Sequence, residues 1–203
     1  MHSVTFMFAS CIWILLLLCT LLKAAPVPES SGEAEVIIGD PDFQKFLSDN
    51  LELSDKMYKL AAAEQNVTCP FCKDEQLVLF KEQLNISFPH LEECLSRTFQ
   101  LFPCLDKVDI GLKFYHVLLA NATASASKTA EIVTDISNLS ANIRQQMTLL
   151  GITMVMYPNT DLSTLTLSPT EDMSIVKYII LSNFRAFLET VMRALQSKQC
   201  VQC

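Results

Sequence analysis

Glycine is scarce, with four in 203 residues. An all-β chain needs many tight turns, and glycine supplies the positive φ angles that those turns use. Leucine, alanine and methionine are plentiful, so composition points to an all-α fold. Histidine is equally sparse: His2, His90 and His116 are the full set, and neither His90 nor His116, the two beyond the N-terminal apolar run, comes with a sequence-local nucleophile. No glycine-rich phosphate loop and no catalytic constellation stands out, although a triad assembled from distant positions leaves no local trace. The residues indicate no cofactor. Cations are in deficit, 15 Lys and Arg against 22 Asp and Glu. That balance argues against a nucleic-acid partner, whose phosphates call for a basic surface.

What is present begins with an apolar run at residues 4–22 that contains Trp13, Ile14 and Leu15–Leu18. Ala24, Ala25 and Pro26 follow. This reads as a secretory signal peptide cut near Ala24, although the run is long enough to anchor in a bilayer if it were retained. Residues 25–40 read as a flexible leader, 41–199 as one helical domain and 200–203 as a cysteine-containing tail. Behind the leader, cleavage removes one cation, Lys23, and leaves a more acidic chain with no stable membrane insertion. Six cysteines remain, Cys69, Cys72, Cys94, Cys104, Cys200 and Cys203, an even number in a chain of extracellular type. Asn66, Asn85, Asn121 and Asn138 each open an Asn-X-Ser/Thr acceptor sequence, in keeping with the same route.

The helical signals are strongest from Cys94 onward. Cys94 and Cys104 close a short loop, and Leu105, Val108, Leu112, Tyr115 and Leu119 then recur at three- and four-residue spacing. A first long helix is predicted over about 41–65, opened by Asp40-Pro41, with Phe43, Phe46, Leu47, Leu51, Met57 and Leu60 inward and Asp49, Glu52 and Asp55 outward. A shorter helix is predicted at about 73–84. A second long helix runs from near Pro103 to about 122. A third carries Ile132, Ile136, Leu139, Ile143, Met147 and Leu150 and stops at Gly151. The fourth opens at Ser168-Pro169-Thr170-Glu171, a capping box, and turns Leu181, Phe184, Leu188, Val191 and Leu195 inward before ending near 198. The connections are long, short and long. A short link makes the second and third helices antiparallel neighbours. Long links can cross a bundle lengthwise and leave the first pair and the last pair each parallel, an up-up-down-down arrangement. Loop lengths alone leave an up-down-up-down bundle open.

The two C-x-x-C pairs, Cys69/Cys72 and Cys200/Cys203, admit three readings: local disulfides, a thiol oxidoreductase site with Cys72 ahead of a helix, or a shared zinc. Under the up-up-down-down arrangement the pairs sit at opposite poles, about 30 Å apart given helices of this length, which disfavours a shared metal. The acids of the first and third helices read, by composition, as a solvated face.

Cys94, nine residues, Cys104, six residues, Gly111-Leu112, two residues, Tyr115, three residues, Leu119 resembles the signature of the family of interleukin-6, granulocyte colony-stimulating factor and avian myelomonocytic growth factor. Cys72–Cys94, Gly111–Leu119, Ile143–Met147 with Leu150-Gly151, and Phe187–Leu195 are most similar to the granulocyte colony-stimulating factor branch. The resemblance implies a long-chain four-helix cytokine with a short extra helix in the connection between helices A and B, no enzymatic activity, and action on granulocyte precursors through a class I cytokine receptor ectodomain. The free protein would be a monomer and the receptor complex 2:2. It implies receptor contacts at Asp49 or Glu52 on helix A and at Asp135 and Asn138 on helix C. A second set falls at Glu75, Gln76 and Leu79 on the short helix, with Met173 or Ile175 at the start of helix D. Asn138 serves two readings, since a glycan there would obstruct the contact. Asn66, Asn85 and Asn121 are then the expected glycan carriers. The family's first disulfide spans five residues, whereas only Pro70 and Phe71 separate Cys69 from Cys72. The alternatives are an interleukin-6-like inflammatory cytokine and a secreted helical lipid carrier.

Overall fold

The computed structural model describes residues 37–72, 74–84, 86–95, 100–122, 127–154 and 173–199. Five α-helices and no strands occur among them: α1 Pro41–Thr68, α2 Asp74–Leu84, α3 Leu101–Ala122, α4 Ser127–Leu149 and α5 Met173–Gln199, with a 3-10 turn at Glu92–Leu95 between α2 and α3. All five lie in the unit Ile38–Cys203. The signal sequence, the leader up to residue 36, the capping box at 168–171, Asn85 and the Cys200/Cys203 pair lie outside the described residues.

The sequence signals at the helix ends act as their chemistry dictates. The Asp40 carboxylate accepts the backbone N–H groups of Asp42 at 2.8 Å and Phe43 at 3.1 Å, ahead of Pro41 in the first turn. This satisfies donors that a helix start leaves without partners. At the end of α4, Gly151 takes φ 67°. The Ile152 N–H then reaches the Met147 carbonyl at 2.9 Å and the Gly151 N–H reaches Thr148 at 3.0 Å. This is the paired closure that a left-handed residue permits. Helix α3 starts at Leu101, two residues before Pro103, which is tolerated within a first turn because no intrahelical N–H bond is lost there.

The long helices form a four-membered bundle in which α1 packs on α5 and α4, and α3 packs on α4 and α5. Cross-helix contacts set the directions. Gln44 near the start of α1 meets the Lys198 carbonyl near the end of α5, while Glu64 near the end of α1 meets Lys177 near the start of α5. Asn50 bonds Asn142 and Glu64 bonds Thr129, so α4 also runs against α1. Gly111 of α3 abuts Phe187 of α5 and Tyr115, one turn on, meets Phe184, one turn back, so α3 runs against α5. The Phe43 and Phe102 rings, at the starts of α1 and α3, stand 6.1 Å apart. The arrangement is therefore up-up-down-down.

The core follows the apolar stripes closely in α3, α4 and α5. All five inward positions of α3, all five of α5, and Ile132 to Met147 of α4 are buried, while Leu150 is half-buried. Helix α1 departs from its apolar pattern: Leu51 and Leu60 are half-buried, and Asn50, Ser54 and Ala61 take the interior positions. The polar pair is satisfied within its own helix. Asn50 donates to the Phe46 carbonyl at 2.6 Å and Ser54 to the Asn50 carbonyl at 2.7 Å, which removes most of the penalty of burial. At the centre, the Tyr115 ring lies 5.0 Å from Phe184 and 5.2 Å from Phe187. Burial pushes the Tyr115 phenol well above its ordinary pKa. Cys94 and Cys104 are bonded and buried, with Cα atoms 5.3 Å apart, and so hold the entry of α3 against the segment that precedes it.

Candidate functional site

Helices α1 and α4 lie side by side and share one outer face. On α1, Asp49 and Glu52 are exposed, set there by the register that buries Phe46, Leu47 and Asn50. Asp55 is engaged by Lys59 one turn on. An open depression runs along this part of α1, lined by Asp49, Glu52, Leu53, Lys56 and Lys59. On α4, Asp135 does not stand free: it is only 6% exposed. The Lys56 ammonium lies 2.9 Å from its carboxylate and 2.9 Å from that of Glu131. Those carboxylates, Asp135 foremost, push the Lys56 pKa up to about 12. Asp135 is thus a strut between α4 and α1, and the acids that face solvent are Asp49, Glu52 and, at the edge of the ion pair, Glu131. Asn138, one turn along α4, is exposed.

The second candidate surface is on α2, which packs against α5. Glu75 is exposed and Leu79 is 60% exposed, beside Val78. A leucine in an amphipathic helix is most often a core residue; here it is presented to solvent. Gln76 lies in the same helix, and its side chain is outside the description. At the start of α5, Met173 is half-buried and Ile175 buried. Just before α2, Cys69 and Cys72 are bonded with Cα atoms 5.4 Å apart, and Phe71 between them is 90% exposed. These cysteines are joined to each other, which accounts for the first C-x-x-C pair as a local disulfide.

Of the acceptor asparagines, Asn66 in the last turn of α1 and Asn121 in the last turn of α3 are both exposed. Because α1 and α3 are parallel, both lie at one pole of the bundle. His90 is exposed and His116 half-buried. Among the described residues no group of three or more His, Cys, Asp or Glu is placed to hold a metal ion.

Several participants have no signature in the sequence. Lys56 is one of many surface-type lysines until α4 is set beside it. Glu64, nearly buried, holds Lys177 of α5 and Thr129 of α4 at one end of the bundle. Arg185 of α5 donates to Gln65 at 2.8 Å and to the Tyr58 hydroxyl at 2.9 Å, with its guanidinium 4.8 Å from the Tyr58 ring. Asp109, 2% exposed, accepts from Ser140 and Arg144 of α4 and from Lys113 of its own helix. A lone polar residue inside an apolar repeat, such as Asn50 after Phe46-Leu47, was the one available clue to these seams.

Residues 51–196 match the protein family described as granulocyte colony-stimulating factor. The chain is 36% identical over 186 residues to the myelomonocytic growth factor of Gallus gallus, an alignment covering 86% of this chain and 88% of that protein. It is 32% identical over 122 residues to the granulocyte colony-stimulating factor of Ovis aries, covering 57% of this chain and 70% of that one.

Proposed function

The chain belongs to the granulocyte colony-stimulating factor family and is a haematopoietic cytokine growth factor, and from that premise we propose that it is secreted, glycosylated and acts by pairing two class I cytokine receptors of the granulocyte colony-stimulating factor type. One receptor engages the α1–α4 face through Asp49 and Glu52, with Asn138 at its edge and Asp135 holding the face in shape. A second engages α2 through Leu79, Glu75 and Gln76. The bundle is a rigid spacer that sets the separation of two receptors in a 2:2 complex. It makes and breaks no bonds. Its targets are cells of the granulocyte lineage.

The observation that carries this reading is the presence of two separate exposed surfaces, one with Asp49 and Glu52 on α1 and one apolar on α2, on a single up-up-down-down bundle. The polar first surface suits steered association, and an exposed leucine suits a desolvated anchor. Reversing both charges of the first surface, Asp49→Lys with Glu52→Lys, is expected to slow association with the granulocyte colony-stimulating factor receptor ectodomain at least tenfold, with helicity unchanged. Leu79→Ala is expected to leave that first binding step intact and to abolish signalling in reporter cells. Unaltered association by the charge-reversed protein, with its circular dichroism normal, would remove α1 from the receptor surface.

A further inference from the structure

We infer that Asn138 carries an N-linked glycan, and that this glycan screens the α1–α4 face and slows receptor association there. The inference rests on the secreted, receptor-binding reading above. Two cross-helix contacts fix the register of the groove. Asn50 of α1 bonds Asn142 of α4 at 2.9 Å, and Lys56 of α1 pairs with Asp135 and Glu131 of α4. Asn138 lies between Asp135 and Asn142, so it stands level with Leu53 and Ser54, at mid-length of the face that presents Asp49 and Glu52.

The asparagines along this seam are not alike. Asn50 is buried and its amide is spent on Phe46 and Asn142. Asn142 is half-buried and donates to Asn50. Asn138 is exposed, and no hydrogen bond to its amide occurs among the described residues. It alone of the three heads an acceptor sequence, Asn138-Leu139-Ser140. The serine of that sequence gives its hydroxyl to the buried Asp109 carboxylate in the folded protein. Transfer therefore takes place on the chain before α4 packs, and the sugar must afterwards find itself outside the bundle. Asn138 meets that requirement. In the transfer, Nδ2 attacks the anomeric carbon of a lipid-pyrophosphate-linked oligosaccharide. The new C–N bond forms as the C–O bond to phosphate breaks, the lipid pyrophosphate leaves, and Nδ2 gives up one proton to the transferase.

A glycan rooted there is flexible, hydrated and larger than a side chain. It obstructs the approach of a second protein to Glu52 and Asp49 without touching the core, so the effect belongs to the association rate. The test uses the full-length protein secreted from animal cells. Treatment with peptide N-glycanase in heavy-oxygen water converts a glycan-bearing asparagine to labelled aspartate, which mass spectrometry locates. The Asn138 peptide is expected to be labelled, and an unlabelled peptide overturns the proposal. Asn138→Gln is then expected to associate with the receptor ectodomain several-fold faster than the glycosylated protein, at equal helicity. Equal rates with Asn138 occupied overturn the screening role. If neither form binds the receptor, the receptor reading fails, while the labelling still decides the modification.

Discussion

At the residue scale, the most constrained position is Gly111. A Cβ there would overlap the edge of the Phe187 ring on α5, and that ring is held by Tyr115 at 5.2 Å and by Phe184 at 6.4 Å. Glycine inside a helix costs about 1 kcal/mol relative to alanine, so Gly111→Ala would be stabilising if space allowed. Overpacking costs about 1–3 kcal/mol, and the clustered rings cannot yield freely. The expected result is a net loss of stability and a lower urea midpoint by circular dichroism; a gain would show that α3 and α5 separate at no cost. Tyr115 makes a second residue-scale prediction. Its phenol is held neutral by burial, so its folded pKa lies above the ordinary value of 10.0. The stability this contributes is complete below pH 10 and is lost as pH rises, because the unfolded chain ionises first. The slope above that pH is about 1.4 kcal/mol per pH unit for one such group. Lys56, raised to about 12 from 10.5, acts in the same direction over its own window. Denaturant titrations at stepped pH are expected to show alkaline weakening from about pH 10 that is shallower in Tyr115→Phe.

At the element scale, the two disulfides differ in what they close. The chain-entropy argument assigns about 3 kcal/mol to the 11-residue Cys94–Cys104 loop and about 2 kcal/mol to the four-residue Cys69–Cys72 loop. Cys94 and Cys104 are also buried. Replacing both with alanine is expected to lower the thermal midpoint by more than the same change at Cys69 and Cys72. Equal losses would assign the two bonds the same structural weight. The helices were legible in the sequence to the extent that each carried its own pattern. Helix α3 repeats at three and four residues and is buried as that repeat requires; α4 ends at Gly151 because only a left-handed residue closes it. Helix α1 was less legible, since Asn50 and Ser54 are interior and only the neighbouring helix reveals their partners. The same limit applies to the binding surfaces. Asp135 lies at the margin of the apolar stripe of α4, and its partner, Lys56, comes from an element some eighty positions away. Leu79 looks like core, and its exposure depends on where α2 sits against α5.

At the scale of the whole molecule, the long-short-long pattern of connections was enough to suggest the topology, and the cross-helix contacts establish it. The bundle is tied at both ends and at mid-length by polar seams. Gln44 and Lys198 meet at one pole, and Glu64, Lys177 and Thr129 at the other. Asn50 with Asn142, Lys56 with Asp135, and Asp109 with Arg144 lie between them. Such seams fix which helices are neighbours and in what register, a specificity that apolar stripes alone do not provide. A body fixed in this way suits a protein whose proposed work is to hold two receptors at a set distance. The most direct test is the mass of the complex formed with the granulocyte colony-stimulating factor receptor ectodomain, measured by light scattering. The expected result is a complex of two receptors and two copies of this chain, reduced to one of each by Leu79→Ala. A mass that never exceeds that of one receptor with one chain in the unaltered protein, or no complex at all, would contradict the account.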